Sequence, residues 1–224
     1  MDTTLFIGNK NYSSWSLRPW LVLNWADIPF KEKHIALAQP GYGKGEIAEV
    51  LAVAPHGQLP ALHVGGLVIW DSLAIAEWAA EQVTSLWPAE AATRAMARSV
   101  TCEMHSGFAG LRRDLGMNIR RRCASQEWAE DTARGIARVH AIWTECRGKY
   151  AAQGPWLFGK RTIADAFYAP VATRMRTYSV PMTEICQGYV DTVLNDAAFL
   201  AWESDCVPNS WDKLGYSVID GLYR

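Results

Sequence analysis

Short hydrophobic runs separated by turn-forming residues occupy residues 1–85. The run from Thr3 to Ile7 predicts a buried strand. A strongly apolar stretch that starts at Ser14 predicts a helix, which should stop at Asp27-Ile28-Pro29 because proline does not continue a helix. Charged and apolar residues then alternate from Phe30 to Leu37, as expected for a second strand.

A glycine-rich loop at 41–45 precedes a short predicted helix near Glu46 to Leu51. Two further strands are predicted at Ala61 to Val64 and at Leu67 to Trp70, and Gly65-Gly66 between them suits a two-residue hairpin turn. Asp71-Ser72 then caps an amphipathic helix. The predicted order of elements in residues 1–85 is therefore β-α-β-α-β-β-α.

The pattern changes at Leu86-Trp87-Pro88, after which helical periodicity dominates. Long helices are predicted over Ala91 to Cys123 and over Gln126 to Ala152. Thr162 and Asp165 form a capping-box variant that should open another helix, which runs through Tyr178. We therefore expect an α/β domain over residues 1–85, a linker over 86–92 and an all-α helical domain over 93–224.

Composition and charge exclude several classes of protein. The chain has 22 basic and 23 acidic residues and a net charge of −1, which argues against nucleic acid or an anionic membrane as the main partner. No apolar run has the length of a membrane span, and the N-terminus lacks the pattern of a signal peptide, so we expect a cytoplasmic protein. The five cysteines are odd in number and widely spaced, which predicts neither a disulfide framework nor a zinc site.

Four motifs together resemble one known family. They are SSWSLRPWL after the first strand, GQLPAL before the hairpin, WDSLAIAEW at a helix start, and LFGKRTIADAFYAPV in the helical part. In this order and spacing they are similar to the cytosolic glutathione transferases, and the similarity covers essentially the whole chain. The resemblance implies a thioredoxin-like N-terminal domain, glutathione as co-substrate, a small-molecule electrophile bound by the helical domain, no metal, and a homodimer.

A serine at the start of the first helix is chemically adequate to activate a thiol. The reference pKa of a thiol is about 8.5, and lowering it by ~2 units requires roughly 2.7 kcal/mol of preferential stabilisation of the thiolate. A hydroxyl that donates to an anion contributes about 1.5–3 kcal/mol. A helix N-terminus adds about 0.3–1 kcal/mol. Ser13 and Ser14 are therefore the candidate catalytic residues.

The sequence leaves open which of these two serines faces the thiol. The motif most resembles the SSCS sequence of the zeta class, which points to Ser13, whereas alignment on Arg18 with serine-type delta enzymes points to Ser14. Either serine also suits a plain helix cap. Trp15 stands where the zeta class has cysteine, and it either lines the site or packs in the core. Arg18 is either a glutathione contact or a structural ion-pair partner.

The resemblance assigns the remaining glutathione contacts to three further segments. A cis peptide bond before Pro60 would turn the backbone of Leu59 towards the cysteinyl residue of glutathione, as in strand addition. Gln58 would bond the glycyl end of glutathione, and Lys44 in the glycine-rich loop is a further contact. Asp71-Ser72 would hold the γ-glutamyl group, with Ser72 on the α-carboxylate and Asp71 facing the α-ammonium. Asp71 would face the ammonium of a glutathione molecule bound either to the same subunit or, across a dimer axis, to the partner subunit.

The electrophile pocket should lie against the first helix of the helical domain. Our candidates there are Met104, His105, Phe108 and Arg112. A stripe of apolar residues at helical spacing is more often part of the core, and Met104 and Phe108 belong to such a stripe.

The motifs favour an enzyme that adds glutathione thiolate to a hydrophobic electrophile. Two alternatives stay open: a glutathione-dependent isomerase of the zeta type, and a non-catalytic glutathione-binding or interaction module. Reduction or thiol exchange is disfavoured, because residues 12–18 contain no cysteine.

Overall fold

The N-terminal part of the chain is built on a four-stranded mixed sheet. The structure, a computed structural model, describes residues 2–37 and 39–206. The strands are β1 (Thr3–Ile7), β2 (Lys31–His34), β3 (Ala61–Val64) and β4 (Leu67–Ile69), in the spatial order β2-β1-β3-β4. β1 pairs parallel with β2 and antiparallel with β3, and β3 and β4 form an antiparallel hairpin.

Three helices accompany the sheet: α1 (Ser14–Trp25), α2 (Ala48–Leu51) and α3 (Ser72–Gln82). The order β-α-β-α-β-β-α is the one predicted, and the class of fold is confirmed. α1 is buried along most of its length because it packs against α3 on one side and against a helix of the C-terminal part on the other. Its N-terminus is thereby fixed where the two parts of the molecule meet.

The C-terminal part is helical, as predicted. Its helices within the described residues are α4 (Ala91–Ser106), α5 (Ala109–Asp114), α6 (Glu130–Tyr150), α7 (Ile163–Thr177), α8 (Glu184–Leu194) and α9 (Ala197–Ser204). α7 is the central helix, buried on nearly every face and packed against α1, α4 and α8. Residues 207–224 of the predicted helical domain lie outside the described residues.

The predicted capping box at the start of α7 is confirmed. The carboxylate of Asp165 accepts hydrogen bonds from the backbone N–H of Thr162 at 2.8 Å and from its hydroxyl at 3.1 Å. The same carboxylate also accepts from the N–H of Leu157 and the hydroxyl of Tyr189, both at 3.1 Å. Burial of the carboxyl raises its pKa to about 6, against these hydrogen bonds, which favour the charged form.

The prediction of one continuous helix over Ala91 to Cys123 is wrong. The helix ends at Ser106, and the chain turns at Phe108, whose φ of 63° lies in the left-handed region. After the short helix α5, the chain leaves helical geometry for residues 115–129. The second long helix accordingly begins at Glu130 rather than near Gln126.

Side chains of α7 explain why the chain is extended after α5. Arg174 Nε donates to the carbonyl of Leu115 at 2.7 Å, and the Thr177 hydroxyl donates to the carbonyl of Asn118 at 2.8 Å. In a continuous helix these carbonyl groups would accept hydrogen bonds from backbone N–H groups four residues later. Here they accept from side chains of α7 instead. This places the segment 115–120 against the start of α1.

Within the described residues, no helix combines the length and the apolar character needed to cross a membrane.

Candidate active site

A cavity of about 680 Å³ opens where the two parts of the molecule meet. The N-terminal part contributes the loop before α1, the glycine-rich loop at 41–45, the loop before β3 and the start of α3. The helical part contributes α5, the segment after it and α7. All three motifs singled out in the N-terminal sequence therefore meet at one cavity.

Ten of the fourteen residues predicted for the site line this cavity: Ser13, Ser14, Trp15, Lys44, Gln58, Leu59, Pro60, Asp71, Ser72 and Arg112. The other four lie behind its walls: Arg18, Met104, His105 and Phe108. The cavity is thus lined by all the predicted N-terminal residues except Arg18, but by only one of the four predicted helical-domain residues, Arg112.

The hydroxyl of Ser13 is used within the protein. Ser13 is the N-cap of α1, and its Oγ accepts a hydrogen bond from the N–H of Ser16 at 3.3 Å. The same hydroxyl donates to Ser16 Oγ at 2.8 Å, and Ser16 Oγ in turn accepts from the N–H of Gly8 at 3.1 Å. The proton of Ser13 is therefore directed into the protein, away from the cavity.

Ser14 lines the same cavity as Ser13 but differs from it in hydrogen bonding. It is the first residue of α1, and it is buried. Its hydroxyl makes no hydrogen bond with the described residues, so it can donate to a group placed in the cavity. An anionic atom there would also face the N-terminal end of the α1 dipole.

The loop before β3 presents free backbone groups to the cavity. The Leu59-Pro60 peptide bond is cis, as predicted. The N–H and C=O of Leu59 have no hydrogen-bond partner among the described residues, so an extended ligand could pair with them as an added strand. The loop itself is held by Gly57 (φ 73°), where an added Cβ would lie 2.1 Å from the carbonyl oxygen of Gly45.

The start of α3 offers a second polar corner. Asp71 is the N-cap, and its Oδ1 accepts from the N–H of Leu73 at 2.8 Å. Ser72 lines the cavity, and its Oγ is buried without a partner among the described residues. A buried hydroxyl without a partner costs free energy, and a carboxylate bound at this helix N-terminus would supply the missing acceptor.

The wall on the helical side is cationic. Arg112 and Arg174 both line the cavity, together with Gly116 and Met117. Arg112 donates through Nε to the carbonyl of Gly107 at 2.9 Å, and its guanidinium lies 5.0 Å from the centre of the Trp15 ring. Burial lowers the pKa of Arg112 from its ordinary value, but an arginine remains charged at neutral pH.

Arg18 lies beneath Trp15 and does not reach the cavity. It is fully buried between the rings of Trp15 and Phe167, whose centres lie 4.2 and 4.9 Å from the guanidinium carbon. It forms neither an ion pair nor a hydrogen bond within the described residues. Burial, followed by the charges of Arg112 and Arg174, lowers its pKa well below the ordinary value.

The three other predicted pocket residues belong to the layer behind the cavity. Met104 is fully buried in the core, and Phe108 occupies the turn between α4 and α5. His105 is half-buried, and its Nε2 lies 3.1 Å from Oδ2 of Asp71. His105 therefore contacts the predicted glutathione site from the helical domain.

Sequence reasoning missed Arg174 and the segment 115–120. Arg174 stands in the last turn of a helix, where a basic residue ordinarily serves the helix dipole, so its position gave no distinct signal. Tyr12 and His56 also line the cavity. His56 lies in a turn closed by the N–H of Gly57 and the carbonyl of Ala54 at 2.8 Å, and its ring stacks on Trp70 with the ring centres 5.1 Å apart.

Asn11 and Asn118 join the two sides of the cavity. Asn11 Nδ2 donates to Asn118 Oδ1 at 2.8 Å, and both side chains are buried. The carbonyl of Asn11 also accepts from the N–H of Ile119 at 3.2 Å, and its Oδ1 accepts from the N–H of Arg120 at 3.0 Å. This link holds the segment 115–120 next to the loop that carries the serines.

No cluster of three or more His, Cys, Asp or Glu side chains suited to a metal ion occurs in the described parts of the chain.

Comparison with known domain families identifies the family of this chain. The family described as "Glutathione S-transferase, N-terminal domain" matches residues 12–82, and "Glutathione S-transferase, C-terminal domain" matches residues 126–202. The chain belongs to the glutathione S-transferase family. The two matches correspond to the sheet-containing part and the helical part of the fold, respectively.

Individual relatives agree with this membership. The chain is 27% identical over 176 residues to a "probable maleylacetoacetate isomerase 2" of Drosophila melanogaster, a match that covers 77% of this chain and 74% of the relative. A glutathione transferase homologue from Burkholderia gl BGR1, solved with bound glutathione, superposes with a TM-score of 0.70 at 19% identity, over 92% of this chain and 98% of the other. A bacterial maleyl pyruvate isomerase of the zeta class gives a TM-score of 0.68 at 21% identity, over 92% and 99% of the two chains. At these identities the solved structures show the shared fold.

Proposed function

We propose that this protein binds glutathione in the 680 Å³ cavity, stabilises its thiolate with the hydroxyl of Ser14, and adds that thiolate to an electrophile held against the helical wall. The observation that carries this proposal is the pair of adjacent serines. The hydroxyl of Ser13 is bonded within the cap of α1, whereas the hydroxyl of Ser14, at the cavity and at a helix N-terminus, has no partner among the described residues.

The polar groups along the cavity match the parts of glutathione. The unpartnered Ser72 hydroxyl and the start of α3 suit the γ-glutamyl α-carboxylate, and Asp71 suits the α-ammonium. The free backbone of Leu59 suits the cysteinyl residue. Gln58 and Lys44, which also line the cavity, suit the glycyl carboxylate. In this arrangement the cysteinyl sulfur lies near Ser14.

A second candidate is glutathione-dependent isomerisation of a maleyl-type compound. Two observations favour it: the fruit-fly relative is named as a maleylacetoacetate isomerase, and Arg112 and Arg174 give the helical wall two positive charges. Maleyl compounds carry carboxylates, which guanidinium groups bind well. Trp15, in the position where the zeta isomerases have cysteine, weakens the transfer of that specific activity to this chain.

The experiment that tests the proposed function begins with glutathione binding measured by calorimetry. Turnover is then measured with an aryl halide, as a test of conjugation, and with a cis-alkene dicarboxylate, as a test of isomerisation. Conjugate formation supports the transferase, and conversion to the trans isomer without net consumption of glutathione supports the isomerase. Tight binding without turnover of either substrate would indicate a binding module instead, and absence of binding would contradict the proposal altogether.

A homodimer is part of the same proposal. The family resemblance implies it, and the edge strand β4 supports it, because Leu67 at its start is 56% exposed and Trp70 just after it is 46% exposed. Light scattering at several protein concentrations tests the proposal, and a monomer mass at all of them would contradict it.

A further inference from the structure

His105 links the helical domain to the start of α3. Its Nε2 lies 3.1 Å from Oδ2 of Asp71, while the other carboxylate oxygen accepts the N–H of Leu73. The Asp71 carboxylate is thus held at both oxygens, by its own helix and by α4 of the other domain. The side chain of Asp71 is otherwise 50% exposed and faces the cavity. Without His105, only the capping hydrogen bond would orient it.

The surroundings of His105 fix its ring in place. The ring meets Trp15 edge-on, with the centres 5.4 Å apart, and it lies 5.8 Å from the ring of Phe167. Nδ1 is buried and has no partner within the described residues. The ring therefore donates from Nε2 and carries no proton on Nδ1, because an N–H at Nδ1 would be a buried donor without an acceptor.

Burial and the neighbouring arginines together favour the neutral imidazole. Burial is the main cause that lowers the pKa of His105 below the ordinary 6.5, and Asp71 opposes it. The positive charges of Arg18 on α1 and Arg112 on α5 lower the pKa further. A neutral donor orients the carboxylate without cancelling its negative charge, whereas an imidazolium would neutralise Asp71 as an ion-pair partner.

We propose that His105 is a positioning residue for glutathione recognition: its Nε2–H orients Asp71 so that the carboxylate receives the α-ammonium of the γ-glutamyl residue. The proposal rests on the proposed function, since it concerns the same cavity. It assigns the helical domain a part in binding glutathione as well as the electrophile. It also gives a role to the burial of His105 and to the two neighbouring arginines, which together favour the neutral imidazole.

Two substitutions separate the hydrogen bond from the packing of the ring. His105→Gln can place an amide N–H near the position of Nε2, whereas His105→Phe keeps an aromatic ring between Trp15 and Phe167 without a donor. Each variant and the wild type are titrated by calorimetry with glutathione and with glutaryl-cysteinyl-glycine, the analogue that lacks the α-amino group. The ratio of the two dissociation constants measures recognition of the ammonium alone. Thermal unfolding by circular dichroism checks that both variants fold.

The wild type should prefer glutathione to the analogue by about tenfold or more, as expected for a charge-assisted hydrogen bond. The preference should fall to about twofold or less in His105→Phe and be largely restored in His105→Gln. Lowering the pH from about 7 to about 5 should reduce the preference in the wild type and leave it nearly constant in His105→Gln. An unchanged preference in a folded His105→Phe would overturn the proposal. Failure of the wild type to bind either ligand would instead contradict the proposed function.

Discussion

Ser13 donates its hydroxyl proton to Ser16 Oγ at 2.8 Å, and this bond distinguishes Ser13 from the adjacent Ser14. Ser16 is fully buried and anchored to the N–H of Gly8, so the hydroxyl of Ser13 is part of a fixed network at the start of α1. Ser14 has no such bond and faces the cavity. The proposal that Ser14 is the thiol donor therefore rests on the hydrogen bond between Ser13 and Ser16.

Replacing Ser72 by Ala should weaken glutathione binding without destabilising the protein. In the free protein its Oγ is buried without a partner among the described residues, so its loss breaks no hydrogen bond. A hydrogen bond to a carboxylate contributes about 1.5–3 kcal/mol, so the dissociation constant for glutathione should rise about 10- to 100-fold. Calorimetry and thermal unfolding measure the two quantities. Ser99→Ala, at an exposed position on α4, is the control and should change neither. A large loss of stability in Ser72→Ala would mean that its hydroxyl has a structural partner.

Replacing Asn118 by Ala should displace the helical wall of the cavity. The substitution leaves Asn11 Nδ2 buried without its acceptor, which should lower the free energy of unfolding by about 1–3 kcal/mol. Because the segment 115–120 carries Gly116 and Met117 at the cavity, KM for the electrophile should rise more than KM for glutathione. Denaturant unfolding and steady-state kinetics measure both effects. Asn195→Ala on the protein surface is the matched control. Equal changes in the two KM values would contradict the expectation that Asn118 acts on the helical wall of the cavity alone.

Glu32 should make the stability of the protein sensitive to acid. Burial would raise its pKa, but hydrogen bonds from His34 and Lys10 outweigh burial and lower the pKa from 4.5 to about 2. Because the pKa is lower in the folded state, the charged carboxylate stabilises the fold above pH 4.5, and this stabilisation is lost as the pH falls towards 2. Glu32→Gln should therefore lower the free energy of unfolding by about 3 kcal/mol at neutral pH. The free energy of unfolding of this variant should also change less than that of the wild type as the pH falls. Urea denaturation at several pH values tests this, and parallel curves for both proteins would contradict it.

The short elements of the N-terminal half were predictable because their signals are local. Gly65-Gly66 marks the hairpin, and Asp71 caps α3 through a side chain two residues from its partner Leu73. The end of α4 at Ser106 was not predictable in this way. Periodicity favoured a continuous helix as far as Cys123, but the chain turns at Phe108. Beyond α5, the carbonyls of Leu115 and Asn118 are bonded to α7, about sixty residues away in sequence.

The site was predictable to a similar extent. The position of Ser14 and Ser72 at the cavity was predictable, because the motifs place both residues at helix starts. Arg174 and the contact between His105 and Asp71 depend on how the helical domain packs on the sheet-containing part. No spacing along the chain encodes that packing, so these residues required the structure.

The measurement that tests the central claim most directly is the pKa of the glutathione thiol bound to the wild type, Ser13→Ala and Ser14→Ala. The ultraviolet absorbance of the thiolate, followed as a function of pH at saturating glutathione, gives this pKa for each protein. Ser14→Ala should raise the pKa of the bound thiol by about one to two pH units. Ser13→Ala should lower the free energy of unfolding by about 1 kcal/mol through the lost helix cap and leave the thiol pKa near that of the wild type. A raised thiol pKa in Ser13→Ala together with a wild-type value in Ser14→Ala would contradict the account.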